Sequence, residues 1–163
     1  MALENVNIGL ANYWKVTCLD KDGNFKWVED KKHLITTVRL NHILDIQFHA
    51  STQNTTWYIG LKGAGTPVAA DTMASHSSWA ELTGYAGNRK EWTEGAASSG
   101  SMTNSSSVDF TINATATIAG AFLNTAATGT AGTLYGVVDF SSSRAVISGD
   151  TLQVTVTVTA ASA

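Results

Sequence analysis

Two histidines and an aspartate within residues 39–61 have the side-chain types of a metal site. Asp45 lies three residues after His42 and four before His49, so a helix would bring the carboxylate close to either imidazole. A helical pair of metal-binding histidines is usually four residues apart, whereas these two are seven apart. A third ligand would have to be His76 or a distant carboxylate, and no spacing specifies it. The sequence therefore predicts packed or solvated histidines and no metal site.

Serine and cysteine chemistry has no matching motif. Ser75, His76 and Ser77 place an imidazole between two hydroxyls, but adjacent side chains on an extended segment point in different directions. No G-x-S-x-G elbow is present, and KGAGTP at residues 62–67 lacks the lysine–hydroxyl ending of a phosphate-binding loop. The single cysteine, Cys18, fits a packed side chain on a strand. We therefore expect no catalytic residues, no cofactor and no enzyme activity.

Aromatic residues beside carboxylates form the one pattern that suggests carbohydrate binding. Aromatic faces bind sugars, and paired carboxylates serve glycoside hydrolysis. The tryptophans concerned are flanked by three glutamates, Glu81, Glu91 and Glu94. Tryptophan on a strand more often belongs to a core or an interface. The residues kept as an alternative glycan contact are Trp79, Tyr85 and Trp92.

Charge and hydropathy exclude two classes of partner. Charged residues make up 14% of the 163-residue chain, below the usual share of about 25%, and the formal net charge is -3. A basic surface for nucleic acid is therefore not expected. No stretch of about 20 apolar residues would span a membrane, and the N-terminus does not have the pattern of a secretion signal.

The N-terminal part is predicted to form a β-hairpin. Residues 14–20 (WKVTCLD) and 25–29 (FKWVE) alternate in polarity, and Asp22-Gly23 between them suits a tight turn. Trp14, Val16 and Cys18 would share one face of the first strand. Residues 1–35 are therefore interpreted as a docking hairpin or arm. Its expected contacts with a capsid or another subunit are Trp14, Phe25 and Trp27.

Residues 37–49 are predicted to form the one helix of the chain. Leu40, Leu44 and Phe48 repeat every four residues, which is helical spacing, and Thr36 or Thr37 is a suitable N-cap. We expect the three apolar side chains to bury one face of this helix.

The rest of the chain is predicted to be an antiparallel β-sandwich, either jelly-roll or immunoglobulin-like. Hydroxyl-rich segments with alternating apolar residues recur at short intervals, and the clearest is residues 152–158 (LQVTVTV). We expect roughly seven to nine strands, so that the fold class is mainly β. The sandwich domain is assigned to residues 36–163.

Four segments together resemble a group of small virion proteins of tailed bacteriophages and prophages. They are LNHILDIQFHASTQNTTWYIGL from Leu40, ADTMASHSSWAELTGYAGNRKEWTEG from Ala70, SVDFTINATATIAGAFL from Ser107, and SGDTLQVTVTVTA from Ser148. The resemblance implies a structural protein of the virion, made in the host cytoplasm. A capsid decoration or cement protein on the outer shell is the preferred interpretation. It would bind the major capsid protein and itself, with a trimer favoured. The alternative is a tail or fibre component that binds a host surface glycan.

Overall fold

The structure is a computed structural model that describes residues 8–162. Eleven strands and one helix are present in that range. In chain order they are β1 (Ile8–Leu19), β2 (Phe25–Lys32), β3 (Leu34–Ile35), α1 (Thr37–Phe48), β4 (Tyr58–Lys62), β5 (Glu81–Leu82), β6 (Lys90–Glu91), β7 (Ser101–Thr103), β8 (Val108–Thr111), β9 (Ala116–Asn124), β10 (Leu134–Val146) and β11 (Thr151–Ser162).

The strands form two sheets in a sandwich-like arrangement. In the first sheet the order is β2-β1-β11, and β7 and β8 both pair with the far edge of β11. In the second sheet the order is β3-β10-β9-β4, and β5 and β6 both pair with β4. All the pairings are antiparallel. The predicted mainly β, antiparallel class with a single short helix is confirmed.

The main core lies between the sheets and consists mainly of the apolar side chains that the strands turn inward. Inward-facing residues alternate with outward-facing ones along each strand, as the pleat requires. The buried pairs across β1 and β11 are Trp14 with Val156, Val16 with Val154, and Cys18 with Leu152. The predicted inner faces of these two strands are therefore confirmed.

The N-terminal hairpin is present, but it is part of the first sheet. Its turn is fixed by Asp20, whose carboxylate accepts hydrogen bonds from the backbone N–H groups of Asp22 and Asn24, and Gly23 has φ +83°. β1 then pairs with β11 in an unbroken register from Ile8 to Leu19. The two strands of the predicted docking arm are therefore part of the first sheet, because β1 pairs with β2 along one edge and with β11 along the other. Residues 1–7 of that arm lie outside the described residues.

The helix begins at the predicted residue with Thr36 as its cap, and it ends one residue before the predicted end. The Thr36 hydroxyl accepts a hydrogen bond from the Arg39 N–H at 3.3 Å and donates to the Leu134 carbonyl at 2.5 Å. These bonds attach the start of α1 to the second sheet. The helix ends at Phe48, where the His49 N–H donates to the Asp45 carbonyl.

The predicted burial of the helix stripe is wrong. Leu40 is 44% exposed, Leu44 57% and Phe48 81%. The side turned towards the sandwich instead carries Arg39, whose guanidinium lies 4.8 Å from the Trp57 ring centroid and 4.7 Å from that of Tyr135. Periodicity shows which side chains share a face, but it does not show which face turns inward. Leu40, Leu44 and Phe48 are called the α1 ridge below.

A second, smaller core covers the outer face of the second sheet. The segment between β4 and β5 folds back over β9 and β10, and it contributes the buried apolar side chains Met73 and Trp79. They join Phe122, Leu134 and Val137 from the sheet. Gly60 leaves room here, because a Cβ atom at that position would lie 2.3 Å from the Phe122 ring. This second core supports the candidate site.

Candidate functional site

An open depression of about 500 Å³ lies beside the second core. One wall is the segment between β4 and β5, and the opposite wall is Thr130 in the loop between β9 and β10. Its lining combines hydroxyl, imidazole, carboxylate and apolar groups. The lining side chains used below are Ser75, His76, Ser77, Trp79, Glu81 and Thr130.

In the first wall, Trp79 is held in place by a hydrogen bond to Asp71. Its indole Nε1–H donates to Asp71 Oδ2 at 2.9 Å, and the same oxygen accepts a hydrogen bond from the Val68 N–H at 2.9 Å. The His76 ring stacks on the indole with a centroid separation of 4.0 Å. His76 Nδ1 lies 3.1 Å from the Trp79 carbonyl. A carbonyl can only accept, so Nδ1 donates in this contact, and Nε2 is left as the second hydrogen-bonding atom of the ring.

Arg89 fixes the second wall. Its guanidinium forms a two-point ion pair with Glu81, with distances of 2.7 and 2.6 Å. The same group donates to the carbonyls of Ala126 at 2.9 Å and Gly129 at 2.7 Å. The buried arginine thereby holds the loop that carries Thr130 against β5. A smaller depression of about 130 Å³ lies on the other side of Glu81 and is lined by Tyr85, Asn88 and Arg89.

The site has little free charge. Glu81 is neutralised by Arg89, and within the described part of the chain no lysine or arginine lines the larger depression. Burial raises the pKa of the Tyr85 phenol to about 12, and the nearby Glu81 carboxylate adds to this. Tyr85 is therefore neutral at physiological pH. The arrangement suits hydrogen bonding to an uncharged ligand.

The three residues predicted as a glycan contact are all buried. Trp79 belongs to the second core, and Tyr85 and Trp92 belong to the main core. The Tyr85 ring packs edge-on against Phe110 with a centroid separation of 4.8 Å, and Trp92 Nε1–H donates to Asn104 Oδ1 at 3.3 Å. They therefore do not form one exposed aromatic platform. Trp79 and Tyr85 do border the two depressions.

The three residues predicted as interface contacts have different surroundings. Trp14 is 1% exposed and stacks on His33 inside the core, so it cannot reach a partner from this fold. Trp27 is partly buried beside Phe140. Phe25 is 63% exposed. Of the three, Phe25 is the side chain that the structure leaves open.

The structure does not bring the candidate metal ligands together. His42 is hydrogen-bonded to Asn54, with 2.7 Å between Nε2 and Nδ2. Among residues 8–162, no three or more His, Cys, Asp or Glu side chains come together in a way that could hold a metal ion. Burial and the Asp150 carboxylate raise the pKa of Cys18 to about 11, which keeps it a thiol. Within the same residues, no helix is long and apolar enough to cross a membrane.

Sequence reasoning missed Arg89 and Thr130 and assigned no role to residues 75–77. A signal for Arg89 was present, because arginine is rare in this chain, with three among 163 residues. Each of the three lies against an aromatic ring in the structure. No local pattern marks Thr130, since its role depends on how Arg89 holds a distant loop.

The chain is thus a β-sandwich with an open polar depression on one sheet and an exposed apolar ridge on its helix. A family model described as podophage GP4 fiber I protein gp80 matches residues 34–161. The chain belongs to this family and is a structural protein of a bacteriophage virion, which confirms the resemblance seen in the sequence. No curated protein matches the chain.

Proposed function

We propose that this protein is a component of a virion fibre. The observation that carries the proposal is the match to a fibre protein family over residues 34–161. That match favours the fibre alternative over a capsid decoration protein on the outer shell. We propose no catalytic role for the chain. We expect its partners in the virion to be further copies of the same chain, most favourably as a trimer.

The exposed α1 ridge supports an assembly role. Exposed apolar side chains in a contiguous stripe are typical of surfaces that another protein covers. The polar residues beside the ridge on the exposed side are the neutral Asn41 and Gln47 and one charged residue, Asp45. A mainly apolar surface with a single charge suits a second copy of the same chain. A standard interface buries roughly 800 Å² per partner, so the three side chains of the ridge would form one part of such an interface, and their contact gains strength when many copies repeat it.

Sedimentation of the purified chain tests the role of the ridge. We expect Leu44→Glu with Phe48→Glu to shift the protein towards the monomer, because two carboxylates would be buried against apolar partners. Ile147→Glu is the matched control, since Ile147 is 52% exposed and lies outside α1. An unchanged association constant in the double variant would remove the ridge from the interface.

The copy number of the protein in purified virions tests the fibre assignment itself. Quantitative mass spectrometry against the major capsid protein gives this ratio directly. A fibre component is expected at a few to tens of copies per particle. A copy number in the hundreds per particle, close to one copy per capsid subunit, would instead support the decoration protein.

A further inference from the structure

The larger depression is open to solvent and has the volume of a small-molecule site. Its volume of about 500 Å³ falls within the range of about 300–1,000 Å³ that is typical of ligand pockets. Both walls are held by buried groups, since Asp71 fixes Trp79 and Arg89 fixes the loop with Thr130. A ligand would therefore meet walls that are already in place, which lowers the entropic cost of binding.

The lining groups favour a ligand that is rich in hydroxyls. His76 Nε2 and the Glu81 oxygens can accept hydrogen bonds, and the Ser75, Ser77 and Thr130 hydroxyls can both donate and accept. Ala74 and Ala80 add small apolar patches between these polar groups. Alternating polar and apolar contacts match the hydroxyl groups and C–H faces of a sugar ring.

The charges argue against an anionic ligand. Arg89, which neutralises Glu81, uses its guanidinium for the Glu81 carboxylate and two loop carbonyls. It is therefore not available to a phosphate or carboxylate in the larger depression. Because Glu81 is already paired and, among the described residues, no lysine or arginine lines the larger depression, no free positive charge is present there to attract an anion.

We propose that the depression bordered by His76, Glu81 and Thr130 binds a neutral saccharide unit. The biological setting, in which a fibre meets the sugars of a cell surface, rests on the proposed fibre function. Binding itself is a property of the isolated chain. A failure to bind and a failure of the fibre assignment can therefore be told apart.

The test is an array of immobilised neutral and anionic glycans, followed by NMR titration of the full chain with the methyl glycosides of the bound sugars. A monosaccharide in a shallow site is expected to bind with a dissociation constant of about 1 mM. The backbone shifts should saturate and should be centred on residues 75–81 and on Thr130.

Thr130→Trp provides the decisive variant, because an indole at this wall would fill the depression. We expect at least about a 10-fold loss of affinity with an unchanged melting temperature. Thr52→Trp is the matched control on another exposed loop position and should bind like the wild type. If Thr130→Trp alters folding, His76→Ala serves as the second variant.

Three results would overturn the proposal. They are no binding of any neutral glycan on the array, binding of anionic glycans alone, and shifts that map outside the depression or survive both variants. In each case the copy number in the virion would still decide the fibre assignment independently.

Discussion

At the scale of single residues, a buried histidine ties the two sheets together. The His33 ring stacks on Trp14 from β1, with 5.4 Å between centroids, and lies 6.1 Å from Tyr135 of β10. Asn12 connects them, since its amide Nδ2 lies 3.4 Å from His33 Nδ1 and its Oδ1 accepts the Tyr135 hydroxyl at 3.0 Å. Burial lowers the pKa of His33 to about 3. The folded protein therefore keeps this ring neutral.

The stability of the protein should fall as the pH is lowered through the ordinary pKa of histidine. The unfolded chain takes up a proton at His33 near pH 6.5, whereas the folded chain does so only near 3. The contribution of this group is therefore complete above pH 6.5 and is lost as the pH falls towards 3. Between about pH 7 and pH 5 the free energy of unfolding should drop by about 2 kcal/mol, as measured by urea denaturation.

Two variants identify the source of this pH dependence. His33→Gln should flatten the slope even though it lowers the stability at every pH. His49→Gln is the control, because His49 is exposed, and the slope should persist. Glu29 does not contribute in this window, since its pKa is held below the usual 4.5. Burial opposes that shift, but hydrogen bonds from Ser141 and Arg144 outweigh it. An equal slope in His33→Gln and wild type would contradict the account.

At the scale of elements, the sequence predicts more about strands and turns than about orientation. The alternation in β1 and β11 identifies their inner faces because a strand has only two faces. The start and the cap of α1 also follow from local signals at Thr36. Local signals do not predict which way the α1 ridge faces, because this depends on Arg39, which occupies the side that faces Trp57 and Tyr135. A cation packed on aromatic rings covers apolar surface that a leucine would otherwise cover.

The exposure of the ridge predicts an unusually mild effect of truncation. Leu44→Ala should change the free energy of unfolding by less than about 0.5 kcal/mol at concentrations where the chain is monomeric, as for other surface positions. Leu61→Ala is the matched comparison, since Leu61 is 1% exposed, and it should cost about 2–5 kcal/mol. Thermal and urea unfolding of both variants provide the measurement. Similar losses at the two positions would mean that α1 packs inward.

At the scale of the whole molecule, the family match and the fold divide the chain differently. The match begins at residue 34, after β1 and β2. β1 nevertheless completes the first sheet beside β11 and carries Trp14, Val16 and Cys18 into the main core. The hairpin was predictable as a local structure, whereas its place in the sheet depends on pairing with the opposite end of the chain. The depression was not predictable for the same reason, because its two walls are about 50 residues apart in sequence.

The most direct test of the central claim is the position of the protein on the virion. Purified particles can be labelled with gold-conjugated antibodies against this chain and imaged by electron microscopy. If the protein is a fibre component, gold should lie on appendages of the particle and be absent from the shell. Labelling spread evenly over the capsid surface, with bare appendages, would contradict the account and return the protein to the outer shell.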